Sequence, residues 1–589
     1  MFSSLAWVLI SFAICMALVG VYSWWKTRGH DMSDPSGYFL GGNSIGGIVI
    51  CMSLVMTDLS AEQLVGNNGQ SVFVGMGVWV SQGTFWTGLV ITALFILPAL
   101  IKAGVITLPQ FFESRFDKAT RAIIAIIMIL SYIIVFLPTA FYAGSQIFVN
   151  LLHLDKRLGV SFNTAIIIVI ALLAILSLCY VMFGGLRAVA MSDSVFGWAM
   201  MAVGIVIPIT AIIFLSNQLG GDGTFLDGLD KFVNTRPEMM NAINEWNSNA
   251  PWWPWPVIIT GLVINNIYFA GANQSIIQRA LAGKSLAQAQ KGVMLAGLVD
   301  FFTPIFLVIP GIVAALAMPG MDWGNGDTVF GTICGATLPT WFMGIFGAII
   351  FGAILSTVNG LVNSIQTMFA MDVYKTYINQ DADNKKIVKI GRIFGFAVTV
   401  LAAIFAPILM NLSGVTTFIQ SSLAILNSPI AVTLLYGIYS KKASPFAIKI
   451  MMVFHIVAYC LLNYFLPSVI PALGAVHFFY WTAVLFALDC LIVTLISKVR
   501  PVDPSRVIKD AHAYQIDMTP WKHRKAMAFA IIGVTVAFYM VFSPWGLGKS
   551  NTTTWKEHLK EQNSTSMTQV EKASHNAKID KAIEEIIQG

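Results

Sequence analysis

The chain is a succession of long apolar stretches separated by short charged breaks. A helix crosses a hydrocarbon layer of about 30 Å with roughly 20 apolar residues, and stretches of that length recur from end to end. They predict fourteen membrane-spanning helices, at residues 5–25, 44–66, 76–101, 122–150, 163–183, 190–215, 256–278, 292–318, 329–372, 388–411, 414–438, 444–467, 473–497 and 526–546. The stretch at 329–372 is too long for one plain crossing, which predicts a short loop helix ahead of the membrane helix. Because the runs are continuous and not alternating, a closed β-barrel is excluded.

An even number of crossings puts both chain ends on one side, and the basic residues decide which. Of the 35 Lys and Arg, 25 fall in the loops after the odd-numbered helices or within the first two turns of the helix that follows, whereas the intervening loops hold only Lys156, Arg157, Lys231 and Arg236. Basic loops stay in the cytoplasm, so both termini are expected outside the plasma membrane. Only 11% of residues are charged, against about a quarter in soluble domains, which excludes a water-soluble fold and leaves the lipid bilayer as the surroundings. The net charge of +6 belongs to these loops, so it implies no nucleic-acid partner, and no obligate protein partner is evident. Cys15, Cys51, Cys179, Cys334, Cys460 and Cys490 lie in apolar runs without paired spacing and read as packing residues, not as disulfides or a zinc site. The first run has no basic residue before it and no small-residue cleavage pattern after it, so it reads as a retained helix. The polar tail at 547–589 contains Asn551 and Asn563 in acceptor triplets for glycosylation, a pattern common by chance. No metal constellation or nucleophile elbow appears, so an enzyme is not expected.

Two predicted spans turn polar midway. The second carries Asp58, Ser60, Glu62 and Gln63 near its middle, and the seventh gathers Asn265, Asn266, Asn273 and Gln274 around Gly271. A carboxylate in hydrocarbon costs on the order of 3 kcal/mol, so Asp58 and Glu62 are expected to face protein or a wet cavity; a helix end near the headgroups is the plainer alternative. Two interruptions five spans apart point to an inverted-repeat transporter, in which unwound helices expose carbonyls and dipole ends around a solute site near the midplane. The expected organisation is an extra helix and internal loop (1–43), a first repeat (44–215), an external loop with short helical turns (216–255), a second repeat (256–438), added helices (439–546) and the tail. In the ninth span Ala353, Ser356 and Thr357, at i, i+3 and i+4, share a face whose oxygens suit a small monovalent cation. Membrane-helix hydroxyls also commonly bond back to their own turn. His455 and Asp489, in later spans, are expected to pair structurally or to snorkel, and not to relay protons.

Tyr38-Phe-Leu-Gly-Gly-Asn-Ser-Ile, Ser60-Ala-Glu-Gln, Phe183-Gly-Gly-Leu-Arg-Ala-Val with Asp193, Asn273-Gln-Ser-Ile-Ile-Gln-Arg-Ala-Leu-Ala-Gly-Lys and Met371-Asp-Val-Tyr-Lys, in that order, resemble the sodium/solute symporter family and its sodium/galactose and sodium/glucose cotransporter branch. The resemblance runs from residue 5 to 546 and implies a LeuT-like five-plus-five inverted repeat in an all-α membrane protein. It implies sodium as coupling ion, held by backbone oxygens of Met56 and Leu59, the Ala353 carbonyl and the Ser356 and Thr357 hydroxyls. Some relatives place a second sodium around the residue matching Asp193; here the accompanying hydroxyl positions are Asn359 and Gly360.

For the solute, the resemblance implies Glu62, Gln63, Gln82, Asn266, Asp300 and Gln420, with Phe269 as an aromatic gate, while Asp58 and Asn273 join the set from the polar breaks. The chain departs from the sugar carriers at Gln82, where they carry glutamate, at Asp300 (lysine), at Phe269 (tyrosine) and at Phe136 (asparagine). The function implied is sodium-driven import of a small polar solute, a sugar on family grounds. A polyol, an amine, sialic acid or a carboxylate remain open, as does a proton as coupling ion through Asp193 or Glu62.

Overall fold

The computed structural model describes residues 2–28, 34–246, 253–411, 415–474, 476–502 and 516–549, so Asn551 and Asn563 lie outside the described residues. Those residues form helices, with isolated bridges in place of any sheet. The helices used below are α1 (Phe2–Thr27), α2 (Gly47–Asp58), α3 (Ala61–Val74), α4 (Gln82–Ala103), α5 (Lys118–Leu152), α6 (Phe162–Leu178) and α7 (Gly185–Gln218). There follow α8 (Gly261–Gly271), α9 (Gln274–Leu281), α10 (Leu286–Asp300), α11 (Pro304–Ala317), α12 (Val329–Thr337) and α13 (Trp341–Ile378). The chain ends with α14 (Asn384–Asn411), α15 (Val415–Tyr439), α16 (Pro445–Val469), α17 (Phe478–Val499) and α18 (Arg524–Val541).

Among the described residues, nine helices are long and apolar enough to cross a bilayer, and eleven spans result when the bent pairs α2/α3 (53°) and α10/α11 (44°) each count once. The expected spans at 5–25 and 163–183 appear as shorter apolar helices, and the one at 256–278 is divided into Trp255–Ile259, α8 and α9. The long ninth run is, as expected, a short helix followed by a membrane helix, α12 and α13, with Pro339 between them. The loop at 216–255 holds the helix Phe225–Asn234 and a turn at Pro237–Met240.

Burial orders these helices. Nearly all of the apolar window of α13 is buried (94%), against 17% for α18, so α13 is the central post and α18 a peripheral, lipid-facing helix. The post is contacted by α1, α2 and α7, and α2 packs in turn on α10. Where α6 meets α7 the chain passes through Gly185 at φ 59°, ψ 172°, a backbone region closed to other residues, so the two helices diverge there.

Two expectations need correction. The second span does not stop near residue 66: α3 continues to Val74 through Asn67, Asn68 and Ser71, all buried. The eighth span is not one helix but breaks after Asp300, and the two deviations explain each other. In a membrane, backbone groups freed by a break need protein partners. Asn68 Nδ2 donates to the Phe306 carbonyl (3.1 Å), Gly311 N–H donates to Asn68 Oδ1 (3.0 Å), and Ser71 Oγ donates to the Val308 carbonyl (3.0 Å). The polar turn of α3 therefore satisfies the irregular backbone of α11 around Val308 and Pro310, just beyond the break.

Candidate functional site

The polar interruptions are helix breaks, and each supplies its own cap. After Asp58 the helix stops, and Ser60 Oγ accepts from Gln63 N–H to start α3. Ser60 N–H, which a continuing helix would direct to the Met56 carbonyl, donates instead to the Asp58 carbonyl at 2.7 Å. The Met56 and Leu59 carbonyls are thereby left off the helical ladder. After Gly271, Ala272 and Asn273 N–H groups both turn back to the Tyr268 carbonyl (2.7 and 2.8 Å), and Asn273 Oδ1 accepts from Ser275 N–H (3.0 Å) to start α9. The Tyr132 hydroxyl donates to the same Oδ1, tying this break to α5.

Both breaks face one cavity, about 910 Å³ of empty space including the part open to solvent. Of the expected solute residues, Asp58, Glu62, Gln63, Gln82, Asn266, Phe269, Asn273 and Gln420 all line it, and Thr357 reaches it from α13. Sequence reasoning missed Asn67, Ser275 and Asn427, although Asn427 was visible as a polar residue inside an apolar run. An amide network crosses the walls: Gln82 Nε2 donates to Gln63 Oε1 (3.0 Å), Asn67 Nδ2 to the same oxygen (2.6 Å), and Asn427 to Asn265 Oδ1.

Asp300 departs from expectation. It does not line this cavity but stands behind Asp58, accepting from Trp86 Nε1 (3.2 Å) and Thr303 Oγ1 (3.1 Å).

The expected sodium ligands on α13 fall beside the first break. Ser356 Oγ is buried on the side of the Asp193 carboxylate, and Thr357 Oγ1 donates back to the Ala353 carbonyl at 3.2 Å. A hydroxyl that donates keeps its lone pairs, so both oxygens remain available to a cation. Asp193 on α7 is engaged elsewhere. Ser53 Oγ donates to it (2.7 Å), and it lies 3.5 Å from Arg279 Nη2, both partners being 2% exposed. That guanidinium also bonds Ser53 Oγ (2.9 Å) and the Ser275 carbonyl (2.6 Å), and it fills the space over Gly360, where an added Cβ would come within 2.6 Å of Nη2. Outside the cavity, His455 Nδ1 meets Asp489 Oδ2 at 2.6 Å, the structural pairing expected of them.

A helical membrane protein in which two capped helix breaks converge on a single polar cavity, with backbone carbonyls freed beside it, has the construction of a secondary transporter. The description of the sodium:solute symporter family matches residues 38–447, and the chain belongs to that family. It is 33% identical to the uncharacterized symporter YidK of Escherichia coli (strain K12), over 91% of each chain. It is 31% identical to the sodium/glucose cotransporter of Vibrio parahaemolyticus, over 74% of this chain and 81% of that one. Sodium/glucose cotransporter 1 of Mus musculus is 26% identical over 86% and 79%. Among solved structures, a Na+-coupled sialic acid symporter in its substrate-bound outward-open state superposes with a TM-score of 0.68 at 19% identity, covering 85% of this chain and 99% of that one, and so shares the fold. The protein is a multi-pass transporter, not an enzyme, and sodium is its coupling ion.

Proposed function

We propose that one sodium ion is held between the first helix break and α13 by the Met56, Leu59 and Ala353 carbonyls and the Ser356 and Thr357 hydroxyls, and that it drives import of a solute bound in the adjoining cavity. The observation that carries this reading is the pair of carbonyls displaced from the ladder by the Ser60 cap, lying beside a helix whose buried Ser356 and Thr357 oxygens keep lone pairs available. Neutral oxygens arranged in this way replace the hydration of a monovalent cation without fixed charge. Arg279 already supplies a positive charge at Asp193, which supports a single ion per cycle.

The breaks at Leu59 and Ala272 are the openings of two five-helix repeats, 44–215 and 256–438, within fourteen crossings whose termini lie outside the plasma membrane. The cavity is the solute site near the midplane, and alternating access follows from swivelling at the breaks. Its amide-rich lining suits a hydroxylated solute, and the sodium/glucose cotransporters among the relatives support a sugar. Removing one neutral ligand costs about 1–2 kcal/mol, so Ser356→Ala is expected to weaken sodium activation roughly 5- to 30-fold. Sodium titration of thermal stability in the purified protein measures it. An unshifted titration refutes the ion site, and solute-independent sodium binding separates that result from any question of the solute.

A further inference from the structure

The cavity between the breaks carries negative charge that the protein leaves unbalanced. Asp58 and Glu62 line it, 4% and 6% exposed, and each keeps one buried oxygen, Asp58 Oδ2 and Glu62 Oε2, without a hydrogen-bond donor. A third carboxylate, Asp300, stands in contact with Asp58 from behind. The charged groups acting on Asp58 are Asp300 and Glu62, both acidic, and its other polar neighbour is the neutral Gln63. No Lys, Arg or His lines the cavity among the described residues. The buried guanidinium of Arg279 is committed to Asp193, Ser53 and the Ser275 carbonyl. Asp58 and Asp300, in contact, share one proton, so with Glu62 the group carries two negative charges, of which a sodium ion at the neighbouring turn offsets only one.

Desolvated acceptors without donors are strongly unfavourable, so the ligand must bring the donors and the charge. Part of the cavity lining is aromatic. Phe85, Phe136 and Phe269 line it, with ring centroids 5.5 Å (Phe85 to Phe269) and 6.4 Å (Phe136 to Phe269) apart. Ring faces attract a cation and disfavour an anion. Amides from Gln63, Gln82, Asn266 and Gln420 also line it, and an amide pairs with neutral hydroxyls as donor or acceptor. The small space beside the Asp58 and Asp300 contact admits no more than about one water, so a cationic group sits on the open side of Asp58, facing Glu62.

We propose that the transported solute is a hydroxylated organic cation, an amino sugar or amino alcohol, whose ammonium is held by the free oxygens of Asp58 and Glu62 against the phenylalanines of the cavity. An ammonium offers three donors, enough for both oxygens, while amides take the hydroxyls. Asp300 holds the shared proton on the side of Asp58 away from the cavity, and the remaining negative charge excludes sialate and simple carboxylates. The inference rests on the reading of this cavity as the solute site.

The test is thermal stabilisation of the purified full-length protein in sodium at neutral pH. Glucosamine, galactosamine and choline are compared with glucose, galactose, N-acetylglucosamine and glucuronate. At least one amine is expected to bind about tenfold or more tighter than its neutral counterpart, the scale of one charge-assisted contact. Glu62→Gln is expected to collapse that preference. Preference for a neutral or anionic solute, no response to any of the amines, or an undiminished preference in Glu62→Gln overturns the inference. Sodium-dependent stabilisation by a neutral sugar overturns this inference while leaving the cavity as the solute site. Should a variant fail to fold, the wild-type panel still decides.

Discussion

Arg279 is the largest charged side chain completely enclosed by the fold, and its neutralisation gives a sharp test of how the core is held. In Asp193→Asn the guanidinium keeps Ser53 Oγ (2.9 Å) and the Ser275 carbonyl (2.6 Å) but loses its carboxylate at 3.5 Å. Two unit charges at that separation attract by about 5 kcal/mol at an effective dielectric constant of about 20. Breaking a buried pair from one side typically costs about 3–5 kcal/mol, so the two routes agree. The expected loss is about 4 kcal/mol, close to a thousandfold in the unfolding equilibrium. Arg279→Met is expected to cost a similar amount, because Asp193 is then a buried charge with only neutral hydroxyls, Ser53 and Ser356, beside it. The double variant removes both charges and should cost at least about 2 kcal/mol less than the sum of the singles. Denaturant unfolding in mild detergent, followed by tryptophan fluorescence, measures all three. Additivity within about 0.5 kcal/mol would show that Asp193 and Arg279 do not act as a pair.

Two further outcomes follow from residues described above, beside those for Ser356 and for the solute panel. Asn68→Ala should cost about 2–4 kcal/mol by stranding the Phe306 carbonyl and the Gly311 N–H, whereas Asn68→Asp keeps an acceptor for Gly311 and should cost less; equal losses would refute the account of the broken helix. His477 caps α17 just outside its span, its Nδ1 accepting from Phe479 N–H at 3.3 Å, and burial among Trp253, Phe478 and Phe479 pushes its pKa down to about 4. The unfolded chain binds this proton at about pH 6.5, so the contribution is present above that pH and is lost as pH falls from 6.5 towards 4, by up to about 3 kcal/mol. His477→Asn, which keeps a side-chain acceptor, should flatten stability across that window in the same unfolding assay, and an unchanged slope would refute it.

The sequence disclosed the break at Asp58 because acidic residues inside an apolar run have no other cheap placement, and the break near Gly271 for the same reason with amides. It disclosed the divided run at 329–372 through length alone. The break after Asp300 stayed hidden because Phe301-Phe-Thr-Pro-Ile-Phe-Leu-Val-Ile is as apolar as an intact span, and the partners of the irregular backbone beyond it sat in another helix, at Asn68 and Ser71. Polar residues that end a hydropathy window can be the partners of a distant backbone, which a one-dimensional pattern does not contain. The site was legible to a similar degree. Eight expected solute residues line the cavity, whereas Asp300 was placed one layer too close because its contact with Asp58 is a tertiary fact.

The caps at Ser60 and Asn273 have a kinetic consequence. A straight helix that bends to open a pathway must rupture backbone bonds at the moment of bending, and its rate then carries the steep temperature dependence of local melting. Here the ends of α2/α3 and α8/α9 are already terminated and satisfied by their own side chains. Rotation of one half against the other turns a few backbone dihedrals and severs no rung of either helix. The barrier to changing access is therefore set by repacking of side chains and movement of water around a joint that exists at rest.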